Sequence, residues 1–304
     1  MRVGISMSSS YRAEDPRDGA RWMIERAAAS RDAGLDSLFV GDHHSTGPRS
    51  YYQNVPILGR LLAEWGDRPA GALFLLPLWH PVLLAEQVAT LASIQDGPFI
   101  MQCAVGNDDE GFSGLGVDAR HRPSRFEECL ETMRRLWNGE TVSGGRRYQF
   151  TNARIAPLPP EPIEVWIGAS ADTALERAAR LGDAWLAAPN LTPPQAERLA
   201  GHYLEYASAA GRRPRAVTIR RDVYVGASDE EAQRVAGPIV DAGYRGFDPS
   251  ALIYGSVETV AQAFGELGDM GYTDVLTRNL VPDQSHALKS IERLGQVRER
   301  VLKD

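Results

Sequence analysis

The sequence predicts an α/β fold, a (β/α)8 TIM barrel with extended loops at the carboxyl end of its strands. Three observations point there. Eight short apolar runs suited to strands alternate with helical patterns along 304 residues, which is the order a closed parallel barrel demands. A unit of helix, tight turn, strand and polar strand end recurs, first through Gly34 and then in segments 179–186 and 269–276. Glycine suits the position just past a helix because it adopts positive φ readily. Finally, two long loops, 107–123 and 138–162, follow expected strands, and loops of that length at strand ends carry function or cover a site.

Taken in order, strands are expected at 2–7, 37–40, 71–76, 99–105, 164–167, 184–187, 217–225 and 274–278. Helical periodicity covers 19–33, 55–65, 81–94, 124–137, 171–181, 193–210, 229–242, 257–271 and 284–302. The second long loop holds a hairpin-like stretch at 141–150 and a proline cluster. A doubly wound sheet also satisfies the alternation, and periodicity does not separate the two. Residues 1–304 are read as one barrel domain.

Composition narrows the function. With 43% hydrophobic and 24% charged residues the chain has an ordinary globular makeup. A net charge of −7, with the basic residues scattered, argues against a nucleic-acid partner. The pairs Arg212-Arg213 and Arg220-Arg221 read as local clusters. No apolar run reaches the roughly 18 residues of a membrane span, and Met1 to Ile5 enters a strand pattern without a signal-peptide signature. The expectation is a cytoplasmic protein. Cys103 and Cys129 suggest neither a disulfide framework nor a metal site.

The most informative stretch is Val40-Gly41-Asp42-His43-His44, an acid and two imidazoles at an expected strand end. His43 there can exchange a proton near neutral pH; equally, Asp42 can cap a turn while His43 lines the barrel mouth. A metal site is disfavoured, because neighbouring side chains of an extended segment point opposite ways and no third ligand recurs. Ile167 to Thr173 joins a strand to a helix through small residues. Gly168, Ala169, Ser170 and Thr173 offer backbone N–H groups and hydroxyls to a phosphate, and Ser170 also suits a plain N-cap. Gly106 permits close backbone approach to a ligand and Asn107 supplies donors. Arg278, at the last strand end, suits a phosphate or carboxylate, or an exposed position facing a helix. The glycines at 111, 114 and 116 lack the dinucleotide order, no Walker loop is present, and 168–172 lacks the second glycine of a nucleophile elbow.

An ordered series of motifs spans nearly the whole chain. It runs through Asp42-His43, Leu76-Pro77 with His80-Pro81, Val105-Gly106, Arg122 with Arg125-Phe126-Glu127-Glu128, Leu136-Trp137 with Gly139-Glu140, Pro162-Ile163 with Val165-Trp166-Ile167-Gly168, and Leu181-Gly182-Asp183. This series resembles the bacterial luciferase-like flavin oxidoreductases. The resemblance implies a barrel whose carboxyl end binds reduced FMN or the deazaflavin coenzyme F420. The Asp42-His43 form and the short chain are similar to the F420 branch, while His44 matches the His-His pair of FMN-using luciferases.

By that resemblance His43 works as acid or base near the flavin N5, and Asp42 orients it or contacts the ring edge. The Leu73–Phe74 peptide would be cis and bulge against the central ring, although the residues themselves read as an ordinary trans strand. Such a bond costs about 3–4 kcal/mol without proline. The segment after Val105 is shorter and more acidic than in many relatives, so nothing past Asn107 is carried over. Arg122, Arg125 and Glu128 read as an ion-paired brace at a helix start. The implied reaction is hydride transfer between F420 and a small organic substrate. The alternative is an FMN-dependent monooxygenase using O2 and served by a separate flavin reductase. A non-catalytic flavin-binding subunit is a third reading, against which the Asp42-His43 pair argues. Relatives also imply a homodimer.

Overall fold

The computed structural model describes residues 1–48, 50–107 and 109–303. The chain runs β1 (Arg2–Met7), α1 (Pro16–Asp32), β2 (Leu38–Val40), α2 (Asn54–Trp65), β3 (Ala70–Leu75), α3 (Pro81–Ile94), β4 (Phe99–Ala104), α4 (Asp109–Gly114) and α5 (Arg122–Trp137). It continues through β5 (Glu164–Gly168), α6 (Asp172–Leu181), β6 (Ala184–Ala187), α7 (Pro193–Ala209), β7 (Ala216–Val225), α8 (Asp229–Asp241), β8 (Ile253–Gly255), α9 (Val257–Asp269), β9 (Asp274–Asn279) and α10 (Gln284–Val301). The strands β1 to β7 pair in sequence order, all parallel, and β9 pairs with both β7 and β1. That closes an eight-stranded ring, as the sequence predicts, and excludes the open doubly wound sheet.

Local chemistry explains the helix starts. Asp15, Ser228, Ser256 and Asp283 each accept a backbone N–H of the first turn they cap. The helix ends are less uniform than the repeated glycines suggest. Gly34 and Gly271 do take positive φ, +76° and +95°, but Gly182 has φ −87°. Gly182 is small for another reason: an added Cβ would lie 2.8 Å from the Ala178 carbonyl oxygen.

Two apolar layers form. Outward-facing strand residues such as Val3, Ile5, Val40, Ala72, Phe74, Cys103 and Val275 join the inner helix faces in the main core. Inside the ring, Phe39, Ile100, Trp166, Ala184, Ala216 and Leu276 fill the lower half. The Phe39 and Trp166 rings meet at 5.2 Å. The barrel interior is therefore shut below and available only at the carboxyl ends of the strands.

Two elements have no counterpart in the sequence reading. β8 pairs in parallel with the far end of β7, Val223↔Ile253 to Val225↔Gly255, as a ninth strand outside the ring. Three residues are too few to show a period. α4 lies in the loop after β4, where glycines hide its pattern. The expected hairpin reduces to one antiparallel bridge, Val142↔Ala153, with Gly144 N–H donating to the Phe150 carbonyl.

The implied cis bond is corrected. The peptide joining Leu73 and Phe74 is trans, the cis bonds among the described residues being Gly47–Pro48 and Ala156–Pro157. β3 runs against β4 in unbroken register from Ala70↔Phe99 to Leu75↔Ala104, leaving no bulge to hold a cis bond.

Strand packing is tight enough to test. An added Cβ on Gly71 would sit 1.8 Å from the Ile100 carbonyl oxygen. Gly71→Ala is expected to cost about 1–3 kcal/mol, read as a lowered thermal midpoint; an unchanged midpoint would mean that β3 and β4 separate without cost.

Candidate active site

Alternation along each strand decides which residues reach the mouth. Continuing inward from Phe39 on β2 gives Gly41 and His43; from Ala216 on β7, Thr218, Arg220 and Asp222; from Leu276 on β9, Arg278. The same rule turns Leu73 of β3, Gln102 and Ala104 of β4, and Gly168 of β5 to the interior.

The His43 ring lies against Tyr51, tilted by 33°, with ring centroids 4.1 Å apart. Among the described residues neither of its ring nitrogens has a hydrogen-bond partner, while its carbonyl accepts from Gln53 Nε2 at 2.8 Å. Burial, seconded by the Arg278 guanidinium, pushes His43 down to about 4. Asp42 opposes this, and Arg220 and Arg245 add to it. The imidazole is neutral at physiological pH.

Asp42 does not orient His43, which corrects the expectation. Its fully buried carboxylate points the opposite way. Oδ2 accepts from the Leu75 N–H and from Trp79 Nε1, each at 2.8 Å. Oδ1 lies 2.9 Å from His44 Nε2, a close contact without hydrogen-bond alignment. Asp42 thus ties the end of β2 to the end of β3 and to Trp79, whose ring meets His44 at 5.3 Å.

The remaining expected residues separate into three groups. Leu73, Gly168 and Arg278 reach the interior with His43, and Arg278 Nη2 donates to Ser8 Oγ at 3.2 Å, so Arg278 does not face a helix. Gly106 (φ +75°), Asn107, Ala169, Ser170 and Thr173 form a rim along the β4 and β5 ends. Ser170 and Thr173 are exposed, and the N-cap of α6 is Ala171, not Ser170. Phe74 is fully buried outside the ring, with its ring 5.6 Å from Trp79, so its side chain does not face the mouth.

The acidic loop is partly neutralised. Asp109 pairs with Arg122, which also donates to the Gly106 carbonyl at 3.5 Å. Asp108 lies outside the described residues. The brace holds largely by binding backbone: Arg125 Nε donates to the Pro77 carbonyl at 2.8 Å, and Glu128 accepts the N–H groups of Arg146, Arg147 and Tyr148.

Sequence reasoning missed a cluster opposite the rim. Arg220, Asp222 and Arg278 are joined by Tyr244 and Arg245 from the segment between α8 and β8. Tyr244 Oη donates to Asp222 Oδ2 at 2.8 Å and Arg245 Nη1 to the same oxygen at 3.0 Å. Period-two reading of 216–225 finds Arg220 and Asp222; nothing local marks Arg245. The hollow between α9 and β8, lined by Arg221, Leu252, Tyr254 and Met270, lies outside the ring and does not belong to this mouth.

The residues at the mouth suit a planar ring system in their chemistry. Small residues, Gly41, Ala104 and Gly168, line it, and a Cβ on Gly168 would already touch Ala104 Cβ at 3.4 Å. Gln102 Nε2 is buried there with no partner among the described residues, a donor available to a ring carbonyl. The rim at α6 offers N–H groups to a phosphate. Among the described residues no group of His, Cys, Asp and Glu is arranged to hold a metal. No described helix is long and apolar enough to cross a membrane.

Residues 1–280 match the luciferase-like monooxygenase family. The chain belongs to that family. Among curated relatives of this luciferase-like chain, the F420-dependent glucose-6-phosphate dehydrogenase of Nakamurella multipartita is 28% identical over 193 residues, 60% of this chain and 56% of the relative. The chain thus spans a little over half the length of such relatives. A monooxygenase structure from Streptomyces bottropensis superposes with TM-score 0.86 at 19% identity, covering 97% of this chain and 98% of its own. The FMN complex of the oxygenating constituent of 3,6-diketocamphane monooxygenase from Pseudomonas putida gives TM-score 0.82 at 17% identity, covering 97% of both. These two structures share the barrel fold with this chain.

Asp42→Ala is expected to destabilise by about 1–3 kcal/mol for each of the two donors left unpaired, with Asp42→Asn milder. Chemical denaturation followed by tryptophan emission measures both; equal midpoints for wild type and Asp42→Ala would remove the tie from the account.

Proposed function

We propose that this barrel is an F420-dependent oxidoreductase acting on a small hydroxyl- or carbonyl-bearing substrate, with His43 handling the proton and Asp42 positioning the strand end around it. F420, when bound, supplies the hydride acceptor or donor. The observation that carries the reading is the neutral imidazole of His43, without a hydrogen-bond partner on its ring among the described residues, at the mouth of a closed barrel. A neutral imidazole takes the proton of a hydroxyl as the carbon loses hydride, and returns it in the reverse direction. Leu73 and Gly168 would bound the ring, Gln102 would meet a ring oxygen, and Gly106, Asn107, Ala169, Ser170 and Thr173 would hold the phosphate-bearing side. The pairing of Asp109 with Arg122 lessens the repulsion between the acidic loop and an anionic cofactor.

Parallel binding titrations with F420 and FMN test the cofactor. Tight F420 binding supports hydride transfer; preference for reduced FMN, with oxygen uptake, would replace it by the monooxygenase reading.

His43→Ala is expected to lower turnover about 10²–10⁴-fold with cofactor affinity within a few-fold of wild type; full turnover would exclude His43. The acid limb follows from the sign of the shift. Because the folded protein protonates His43 only near pH 4, the base form persists down to that pH. In the oxidation direction kcat/KM should therefore hold through neutral pH and fall on approach to about 4, whereas a limb near 6.5 would mean an ordinary histidine.

A further inference from the structure

We propose that Arg220, Arg245 and Arg278 form a subsite for a phosphate-sized dianion carried by the substrate, which places the substrate's reacting carbon beside His43. The inference rests on reading the barrel mouth as the catalytic pocket and adds the substrate's charge. A cofactor phosphate is the other source of the same chemistry.

Three guanidinium groups arrive from three places: Arg220 from β7, Arg278 from β9 and Arg245 from the segment before β8. All three act electrostatically on His43. Among the described residues Asp222 is the carboxylate that pairs with them, because Asp42 is turned toward Leu75, Trp79 and His44. Among the described residues one carboxylate against three guanidiniums leaves an excess of about two positive charges in this cluster. That excess stands in a chain whose net charge is −7.

Arg220 feels the imbalance. Burial pushes it down to about 10, and Arg278 and Arg245 add to that against the pull of Asp222. Its side chain keeps 21% exposure, so it is deep yet open to the mouth. Among the described residues its buried Nε has no hydrogen-bond partner, and neither has Asp222 Oδ1, 3.7 Å away.

Arg245 is held in place. Its backbone is left-handed, φ 52°, a conformation a non-glycine residue keeps only when its surroundings fix it. The guanidinium bonds to Asp222 and lies over Phe247 at 4.8 Å, and 38% of its side chain remains exposed. Asp222 is thus a positioning residue that draws Arg245 and Tyr244 over the mouth. Guanidinium forks match the oxygens of a phosphate in geometry, and a dianion balances the excess charge.

The subsite is coupled to the base. Among the described residues the charged or titratable groups around His43 are Asp42 and His44 from its own loop, the tilted Tyr51 ring, Arg220 from β7, Arg245, and Arg278 from β9. A dianion on the three arginines cancels their effect on the imidazole, so the substrate's own charge makes His43 a stronger base.

The test titrates inorganic phosphate into the full chain while following the ring resonance of His43, assigned by its loss in His43→Gln. The expected result is saturable binding that raises the His43 titration midpoint by roughly one pH unit. Arg245→Gln should weaken phosphate roughly tenfold and leave F420 or FMN affinity within about twofold; a thermal melt verifies its folding. Arg220→Gln should behave alike, and Arg245→Gln decides alone if the buried variant does not fold. Phosphate binding that is absent, or unchanged in Arg245→Gln, overturns the subsite. Equal loss of phosphate and cofactor affinity assigns the cluster to the cofactor and overturns the substrate reading. If wild type binds neither cofactor yet binds phosphate through Arg245, the subsite stands and the cofactor proposal falls.

Discussion

A closed ring of parallel strands admits only every second residue of each strand to its interior, and the rest of this structure depends on that constraint. The lower interior is spent on packing, with Trp166 and Phe39 at its centre. His43, Arg220 and Arg278 stand at the last inward positions. Sequence neighbours accordingly enter different surroundings. His43 faces the mouth while Asp42 is sealed behind it; Arg220 faces the mouth while Arg221 is outside, donating to the Pro189 carbonyl at 3.1 Å. Leu73 and Phe74 divide in the same way.

Once residues are sorted, charge sets their character. His43 is stripped of its proton by burial and by arginines it does not touch through hydrogen bonds. Asp42 keeps three polar neighbours in a fully buried place and so serves as a joint between strand ends. Arg125 and Glu128 spend their charge on backbone groups, holding the loops around α5 in the positions from which they border the mouth. One set of ionisable residues builds the frame and another faces the space it encloses.

The ring was legible because eight alternating runs, helix caps and Gly34 and Gly271 all carry strong local signals. The candidate site was half legible. His43 and Arg278 stand at strand ends that the pattern locates, and period two places them. Asp42 was misjudged because adjacency in sequence was taken for adjacency in space, although alternation forbids it. Ser170 was given a capping option that belongs one residue later, at Ala171. Arg245 was invisible, since its position follows from a left-handed turn and a contact with Asp222, neither of which has a periodic signature. The Leu73–Phe74 bond follows the residues' own reading as a regular strand, not the family pattern.

The ninth strand has a further consequence. β8 is hydrogen-bonded along one edge only, to the overhanging end of β7, and contributes nothing to ring closure. The segment that ends in it, carrying Tyr244 and Arg245, is therefore a graft on a finished barrel. The exposed positions of that segment can change while the ring, closed by β9 between β7 and β1, keeps its hydrogen bonds. The limit on such change is set by Ala251 and Leu252, which are buried, and by Tyr244 and Phe247, which pack with Leu252 against the inner face of α8.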